Sequence, residues 1–310
     1  DTLIECVDGI FQIKEDKREF YKRIISCVGF MAGLIVILMV LSFVFVRSDG
    51  AEIYDGVSIR NKDHEIKSEP DNSIDILFLG DSECYSSFNP NELLDITGRT
   101  SYVCGTSAQR ICDTYAILNN AFATQSPEVV VLETNCLYRK SKTEDSTNDS
   151  VMNACIKALP VFANHSDWKN VAAKLIPSYG NKKDLENRGF VTRYGIKPYE
   201  GGAYMHKTDD VDDIDENTLK YLSLIYNLCD ENGAKLLLVS VPSPKNWSYE
   251  KHNGVNEWAT AYSVSYLVLN LVADVGLDWM TDTKDGGDHL NATGAGKVTG
   301  YLGEWFVKNL

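Results

Sequence analysis

Between Ile24 and Val46 the chain runs for 23 residues without a charged side chain (IISCVGFMAGLIVILMVLSFVFV). At about 1.5 Å per residue, a helix of that length crosses a hydrocarbon core of roughly 30 Å. A buried soluble helix is rarely apolar on every face. A secretory signal has a shorter apolar region closed by a small-residue cleavage site, which SFVFVRSDG lacks. The segment therefore reads as a transmembrane helix, residues 24–46. Lys14, Lys17, Arg18, Lys22 and Arg23 precede it, whereas Arg47 is followed by Asp49, Glu52 and Asp55. That asymmetry assigns residues 1–23 to the cytoplasm and the rest of the chain to the far side of a cell membrane. The first residue is Asp1 rather than Met, which leaves room for residues upstream.

The remainder is large enough for a buried core. Of 310 residues, 44% are apolar and 24% charged, values of an ordinary globular chain, so disorder and low-complexity classes are excluded. The net charge is −14. Residues 1–46 hold five basic and six acidic side chains, so −13 of it falls on the outer part. Such a surface repels phosphate backbones, and no nucleic-acid partner is expected.

Residues 47–73 are polar, contain Gly50, Gly56 and Pro70, show no sustained period, and read as a tether. Short runs rich in Ile, Leu and Val then recur at 74–79, 101–104, 128–133, 235–241 and 266–271, with helical stretches at 90–96, 108–124, 215–231 and 292–309. Continuous apolar runs of this length are the pattern of parallel strands buried on both faces. Their alternation with helices predicts an α/β fold over residues 74–310: a doubly wound, flavodoxin-like parallel sheet sandwiched by helices. The stretch 139–213 breaks the rhythm, from RKSKTEDSTNDS through an apolar, helical VMNACIKALPVFA to TDDVDDIDE, and reads as an insertion or lid.

In an open α/β sheet, ligands bind beyond the carboxyl ends of the strands. The first strand ends in Gly80-Asp81-Ser82-Glu83. A hydroxyl there, at a strand-to-helix turn, has a free backbone N–H beside it that can stabilise an oxyanion, but it needs a base. An Asp or Ser that merely caps the helix is the plain alternative. Of the five histidines, His64 lies in the tether, His165 and His206 in the insertion, and His252 in a polar loop. All four read as solvated. His289, in Asp285-Gly286-Gly287-Asp288-His289 just before the last helix, is flanked by acids that can orient the ring while it takes a proton from a serine.

Gly80-Asp81-Ser82 after the first strand and an acid–His pair before the last helix resemble the SGNH, or GDSL-like, hydrolase superfamily. The resemblance spans about 230 residues. It implies Ser82 as nucleophile, His289 as its base, and an oxyanion hole from the Ser82 N–H, Gly105 and Asn135. The family's third block is usually Gly-x-Asn-Asp, whereas here it is Glu133-Thr134-Asn135-Cys136. The family's acid usually stands three residues before the His, a place held here by Gly286. Asp288 is slightly favoured as the acid, with Asp285 as the alternative and an acid-free dyad left open. A single amino-terminal membrane helix narrows the likeness to a DltD-like, membrane-anchored branch acting on bacterial cell envelopes. That implies an acylated glycan, teichoic acid or lipid-linked polymer as substrate and a membrane-bound O-acyltransferase as possible partner. A silent binding module is the rival. Arg110 and Arg139, near strand ends, are the candidates for local positive charge.

Eight cysteines form no Cys-x-x-Cys pair, so no metal site is expected. Cys84, Cys104 and Cys136 each lie within two residues of a proposed site residue and should cluster, bridged or free. Cys84 is a minor rival nucleophile, while Cys112 and Cys229 read as helix packing. Asn148, Asn164, Asn246 and Asn291 begin Asn-x-Ser/Thr triplets of no expected consequence. Without a GxGxxG or P-loop, no nucleotide cofactor is expected.

Overall fold

The computed structural model describes residues 2–46, 59–139 and 187–310. Helix α1 (Thr2–Val46) is continuous for 45 residues. Its stretch Arg18–Leu41 is long and apolar enough to cross a membrane, and its apolar side chains are exposed along that length. The span expected at 24–46 falls largely on it.

The second compact unit is an α/β body. Helix α2 (Ile59–Ser68) leads into β1 (Ile76–Leu79), α3 (Ser82–Ser87), α4 (Pro90–Thr97), β2 (Ser101–Val103), α5 (Ile111–Ala121) and β3 (Val129–Glu133). After the undescribed stretch come α6 (Glu216–Glu231), β4 (Lys235–Ser240), α7 (Tyr249–Ala261), β5 (Ser265–Val268) and α8 (Ala292–Asn309). All pairings are parallel, in the order β2-β1-β3-β4-β5. This is the flavodoxin-like order, and its switch point lies between β1 and β3.

Alternation along each strand fills both faces. Leu77, Leu79, Val130, Leu132, Leu236 and Leu238 pack against α2, α5, α6 and α7 through Ile66, Ile117, Leu222 and Trp258. Ile76, Phe78, Val129, Val131, Leu237 and Val239 meet α3, α4 and α8 through Cys84, Leu93, Val298 and Phe306. The two-residue period of a strand sends neighbours to opposite faces, and helices cover each, so the strands read as unbroken apolar runs.

Two segments differ from expectation. Residues 59–68, inside the expected tether, are helical, with Ile66 fully buried and Lys62 paired to Glu65 one turn on at 2.9 Å. The polar loop around His252 is the helix α7, capped by Ser248, whose side chain accepts the Lys251 N–H. His252 is therefore half-buried, edge-on to Tyr249 and tilted against Tyr266 at ring-centre distances of 5.1 and 5.7 Å, and burial lowers its pKa. The expected insertion helix at VMNACIKALPVFA lies outside the described residues, as do Cys155, His165, Asn148 and Asn164. The part of the insertion that is described, 187–213, lacks regular elements and is stitched to the body: Val103 N–H donates to Arg188, Val191 N–H to Tyr85 and Ala292 N–H to Arg193.

Candidate active site

Ser82 opens α3 immediately beyond β1, with Asp81 as its N-cap: Asp81 Oδ1 accepts the Glu83 N–H at 3.0 Å. The first N–H groups of a helix have no intrahelical acceptor, so the Ser82 N–H is available to an oxygen placed above it. Gly80, at φ +153°, is required by crowding. A Cβ there would lie 2.7 Å from the Glu133 Cβ and 2.9 Å from the Cys84 Cβ. Gly105, just past β2, abuts the same turn, its Cβ position 3.0 Å from the Asp81 carbonyl and 3.2 Å from the Tyr85 nitrogen. Asn135, just past β3, is buried, and its Nδ2 donates to Asp81 Oδ2 at 2.9 Å. Three strand ends thus bring Ser82, Gly105 and Asn135 to the switch point.

His289 arrives from the loop before α8. Gly286 and Gly287, at φ +77° and +88°, turn the chain so that Asp285 faces the residue four positions on. Asp285 Oδ1 accepts the His289 N–H at 2.7 Å and Asp285 Oδ2 lies 2.8 Å from the ring Nδ1. Asp288, the slightly favoured acid, is 3.6 Å from Nδ1 and instead accepts from Asn246 Nδ2 at 2.7 Å. The ring is therefore paired with Asp285. Neighbouring side chains on an extended stretch diverge, whereas the double-glycine turn brings the more distant carboxylate round. Burial alone would raise the Asp285 pKa, but the hydrogen bonds and charge of His289, with Lys245, outweigh it and hold the carboxylate below its ordinary range.

What joins this loop to α3 is a side chain for which no role is expected from the motif alone. Glu83, 1% exposed, accepts from Asn246 Nδ2 at 2.6 Å and lies 3.2 Å from Ser243 Oγ. Ser243 Oγ also reaches the carbonyls of Gly287 and Asp288, at 3.2 and 2.9 Å. Both Ser243 and Asn246 follow β4, and their position at a strand's carboxyl end was the available signal. His289 Nε2 is enclosed and, among the described residues, makes no hydrogen bond, so it is not bonded to Ser82 Oγ. The distant pieces of chain do meet, with a Glu83 carboxylate oxygen within 4.8 Å of a His289 ring nitrogen.

Buried carboxylates crowd the floor. Asp81, Glu83 and Glu133 are each at most 1% exposed. Desolvation, and next the charge of Asp81, push the pKa values of Glu83 and Glu133 well above the usual carboxylate range. Arg139 counters Asp81, its Nε donating to Oδ2 at 2.6 Å. Arg110 pairs with Asp113 at 2.9 Å. Neither arginine is a bare cation facing the site. Cys84, Cys104 and Cys136 lie near one another, buried and not joined by a disulfide. Burial, followed by Glu133 and Asp81, raises the thiols of Cys84 and Cys136, the wrong direction for a nucleophile. Asn291 caps α8, accepting from Thr293 and Gly294.

Among the described residues, Glu83, Asp288 and His289 form the one group with ligand atoms mutually within 4.8 Å that could hold a metal. The Asn246 amide already spans the two carboxylates at 2.6 and 2.7 Å, so a cation there would have to displace a donor that satisfies both.

The fold and the site together define a doubly wound α/β protein with an acid–imidazole pair beside Glu83, in the first turn of the helix that Ser82 opens. No family model and no curated protein matches the chain. Solved structures with a similar chain course include a putative acylhydrolase from Bacteroides fragilis, with 11% identity, TM-score 0.41, covering 83% of this chain and 99% of that one. A GDSL-like lipase from Bacteroides thetaiotaomicron has 13% identity and TM-score 0.41, covering 82% and 99%. An acetyl xylan esterase has 17% identity and TM-score 0.27, covering 74% and 98%. At that level of likeness, the chemistry has to be read from this chain's own side chains.

Proposed function

We propose that the chain is a membrane-anchored serine acyl-esterase or O-acyltransferase of SGNH type, its α/β body extracytoplasmic and its amino terminus cytoplasmic. The observation that carries the reading is the Asp285–His289 pair held beside the first turn of α3, at the switch point of the sheet. Asp285 fixes Nδ1 as the protonated nitrogen, which leaves Nε2 with a lone pair for a proton.

Ser82 Oγ attacks the carbonyl carbon of an ester, its proton passes to Nε2, and the carbonyl oxygen becomes an oxyanion above the Ser82 and Gly105 N–H groups. Collapse expels the alcohol, which takes the proton from Nε2, and leaves an acyl-serine. Water or a sugar hydroxyl, deprotonated by His289, then releases the acid or forms a new ester. The first step requires Ser82 Oγ to close onto Nε2, a contact of the kind that tightens when substrate binds. The anchor helix supports an ester in the cell envelope as substrate: a polysaccharide, a lipid-linked glycan or, in the DltD-like manner, a teichoic acid, with a membrane-bound O-acyltransferase as partner; the −13 outer charge weighs against tight ionic binding of the anionic one.

Labelling with a fluorophosphonate tests the chemistry. Labelling that disappears in Ser82→Ala and falls sharply in His289→Ala supports it, and a folded wild-type protein that does not label rules it out. One observation favours a second reading, a silent glycan-binding or scaffold module: the Asn135 amide, the third oxyanion donor of the family pattern, is given to Asp81.

A further inference from the structure

On the flank of the His289 loop lies an open cleft of about 400 Å³ lined by Tyr199, Tyr204, Trp279, Met205, Asn270 and Gly202. Trp279 stands edge-on between the two tyrosines, its ring centre 6.2 Å from Tyr199 and 5.9 Å from Tyr204. The rings are held in place from behind. The Tyr199 N–H donates to the Trp279 carbonyl at 3.0 Å, and Tyr204 Oη donates to Asn270 Oδ1 at 2.9 Å. Asn270 in turn donates to the carbonyls of Ser240 and Val241, at the carboxyl end of β4.

The cleft adjoins the loop that carries His289. A Cβ on Gly287 would lie 3.0 Å from the Tyr199 ring, and Gly287 stands two residues before His289. The Ser243 N–H donates to the same Asn270 Oδ1, while Ser243 Oγ reaches Glu83. One wall of the cleft is thus built on the elements that hold the base.

We infer that this cleft binds an uncharged pyranose ring of the substrate, beside the ester to be cleaved or formed. The inference rests on the esterase reading for the second half of that statement only. A pyranose has an apolar C–H face and a polar rim. Tyr and Trp offer the matching surface, an apolar ring with a polar tip at small entropic cost. No lining residue is charged, so a phosphate-rich polymer gains nothing there, and the two arginines expected to supply positive charge are engaged elsewhere, Arg139 by Asp81 and Arg110 by Asp113. An acyl chain would be better covered by an enclosed aliphatic tunnel than by an open aromatic one. Rings already locked by Asn270 and the Trp279 backbone need no ordering on binding, which raises affinity.

The test uses the full chain carrying Ser82→Ala in detergent, so that binding is read without turnover. Xylotetraose, cellotetraose and chitotetraose are titrated calorimetrically, with glycerol-phosphate oligomers and octanoate as the anionic and acyl-chain comparisons. At least one neutral tetrasaccharide binds, and Trp279→Ala and, separately, Tyr199→Leu weaken it roughly three- to tenfold, with unchanged circular dichroism. Binding of none of the three, binding unaffected by either substitution, or tighter binding of octanoate or glycerol phosphate that the substitutions abolish overturns the inference. If the wild type fails to label with fluorophosphonate while the sugar still binds at Trp279, the esterase reading falls and the saccharide site stands.

Discussion

Asp285 grips His289 at two atoms, the backbone N–H at 2.7 Å and the ring Nδ1 at 2.8 Å, whereas Asp288, adjacent in sequence, stands 3.6 Å from that nitrogen and binds Asn246. A carboxylate that holds both the backbone and the imidazole fixes the ring's orientation as well as its tautomer. The two otherwise similar acids are therefore expected to differ in the effect of their removal.

Asp285→Asn should lower the rate constant for fluorophosphonate labelling of Ser82 by about 10²- to 10⁴-fold, the range for loss of a tautomer-fixing acid. Asp288→Asn removes only an acceptor of Asn246 and should cost less than about tenfold. Equal losses in the two variants, measured in parallel by gel fluorescence, would show that the ring is not positioned as described.

Asn135 poses a different question because its amide serves Asp81. Asn135→Ala leaves a buried carboxylate with Arg139 and one N–H as partners, which should cost about 1–3 kcal/mol of stability in urea unfolding. If the same Nδ2 swings to an oxyanion during turnover, the variant also loses about 10²- to 10³-fold in kcat on an aryl acetate. Stability loss with kcat unchanged would assign Asn135 to structure alone and favour the silent module.

Strands β1 to β4 were legible because a sheet covered on both faces makes its strands continuous apolar runs, β5 by its apolar residues although it is an exposed to half-buried edge strand, and the terminal helix because it follows a clear loop. Helix α7 was not. Its stretch YEKHNGVNEWATA contains a mid-helix Gly254 and buries chiefly Val255, Trp258 and Ala259, so little period shows. Helix α2 was hidden likewise, by a polar sequence that buries Ile66 and a paired Lys62. At the site, Ser82 and His289 stood out by motif. The choice of Asp285 over Asp288 depended on two positive φ values, and the joining of Glu83 to Ser243 and Asn246 on contacts across about 160 residues of chain, of which the sequence pattern encodes only that Ser243 and Asn246 follow β4.

Glu83 also sets a dependence of stability on pH. Its folded-state pKa lies above the unfolded value of about 4.3, so between the two values the native state holds a proton that the unfolded chain has released. Its contribution is fully present below about pH 4.3 and is lost as pH rises through the folded-state pKa. Asp285, lowered, acts in the opposite sense and loses its contribution as pH falls. Glu83→Gln, which cannot ionise, should flatten the decline of unfolding free energy on the alkaline side by up to about 1.4 kcal/mol per pH unit, the limit for one proton. Urea midpoints of both proteins from pH 4 to 9 decide it. Parallel curves would mean that Glu83 ionises as readily folded as unfolded.

Gly80 is where the nucleophile's turn meets the neighbouring strand. A methyl group there would stand 2.7 Å from the Glu133 Cβ and 2.9 Å from the Cys84 Cβ, at a φ of +153° that L-residues rarely adopt. Glu133 is the last residue of β3 and cannot withdraw without disturbing Asn135, whose N–H it accepts at 2.7 Å. Gly80→Ala should therefore cost about 2–4 kcal/mol, from overpacking and backbone strain together. The double variant Gly80→Ala/Glu133→Ala keeps the strained φ and the Cys84 contact but retains only the Cβ part of the Glu133 clash, so a double-mutant cycle separates the sources. A coupling energy of about 0.5–1 kcal/mol is expected. Because strain at Gly80 displaces Ser82 directly, labelling should fall even at temperatures where Gly80→Ala remains folded. A variant as stable and as reactive as the parent would show that β1 and β3 do not press together at this point, and the switch-point geometry that presents Ser82 would have to be redrawn.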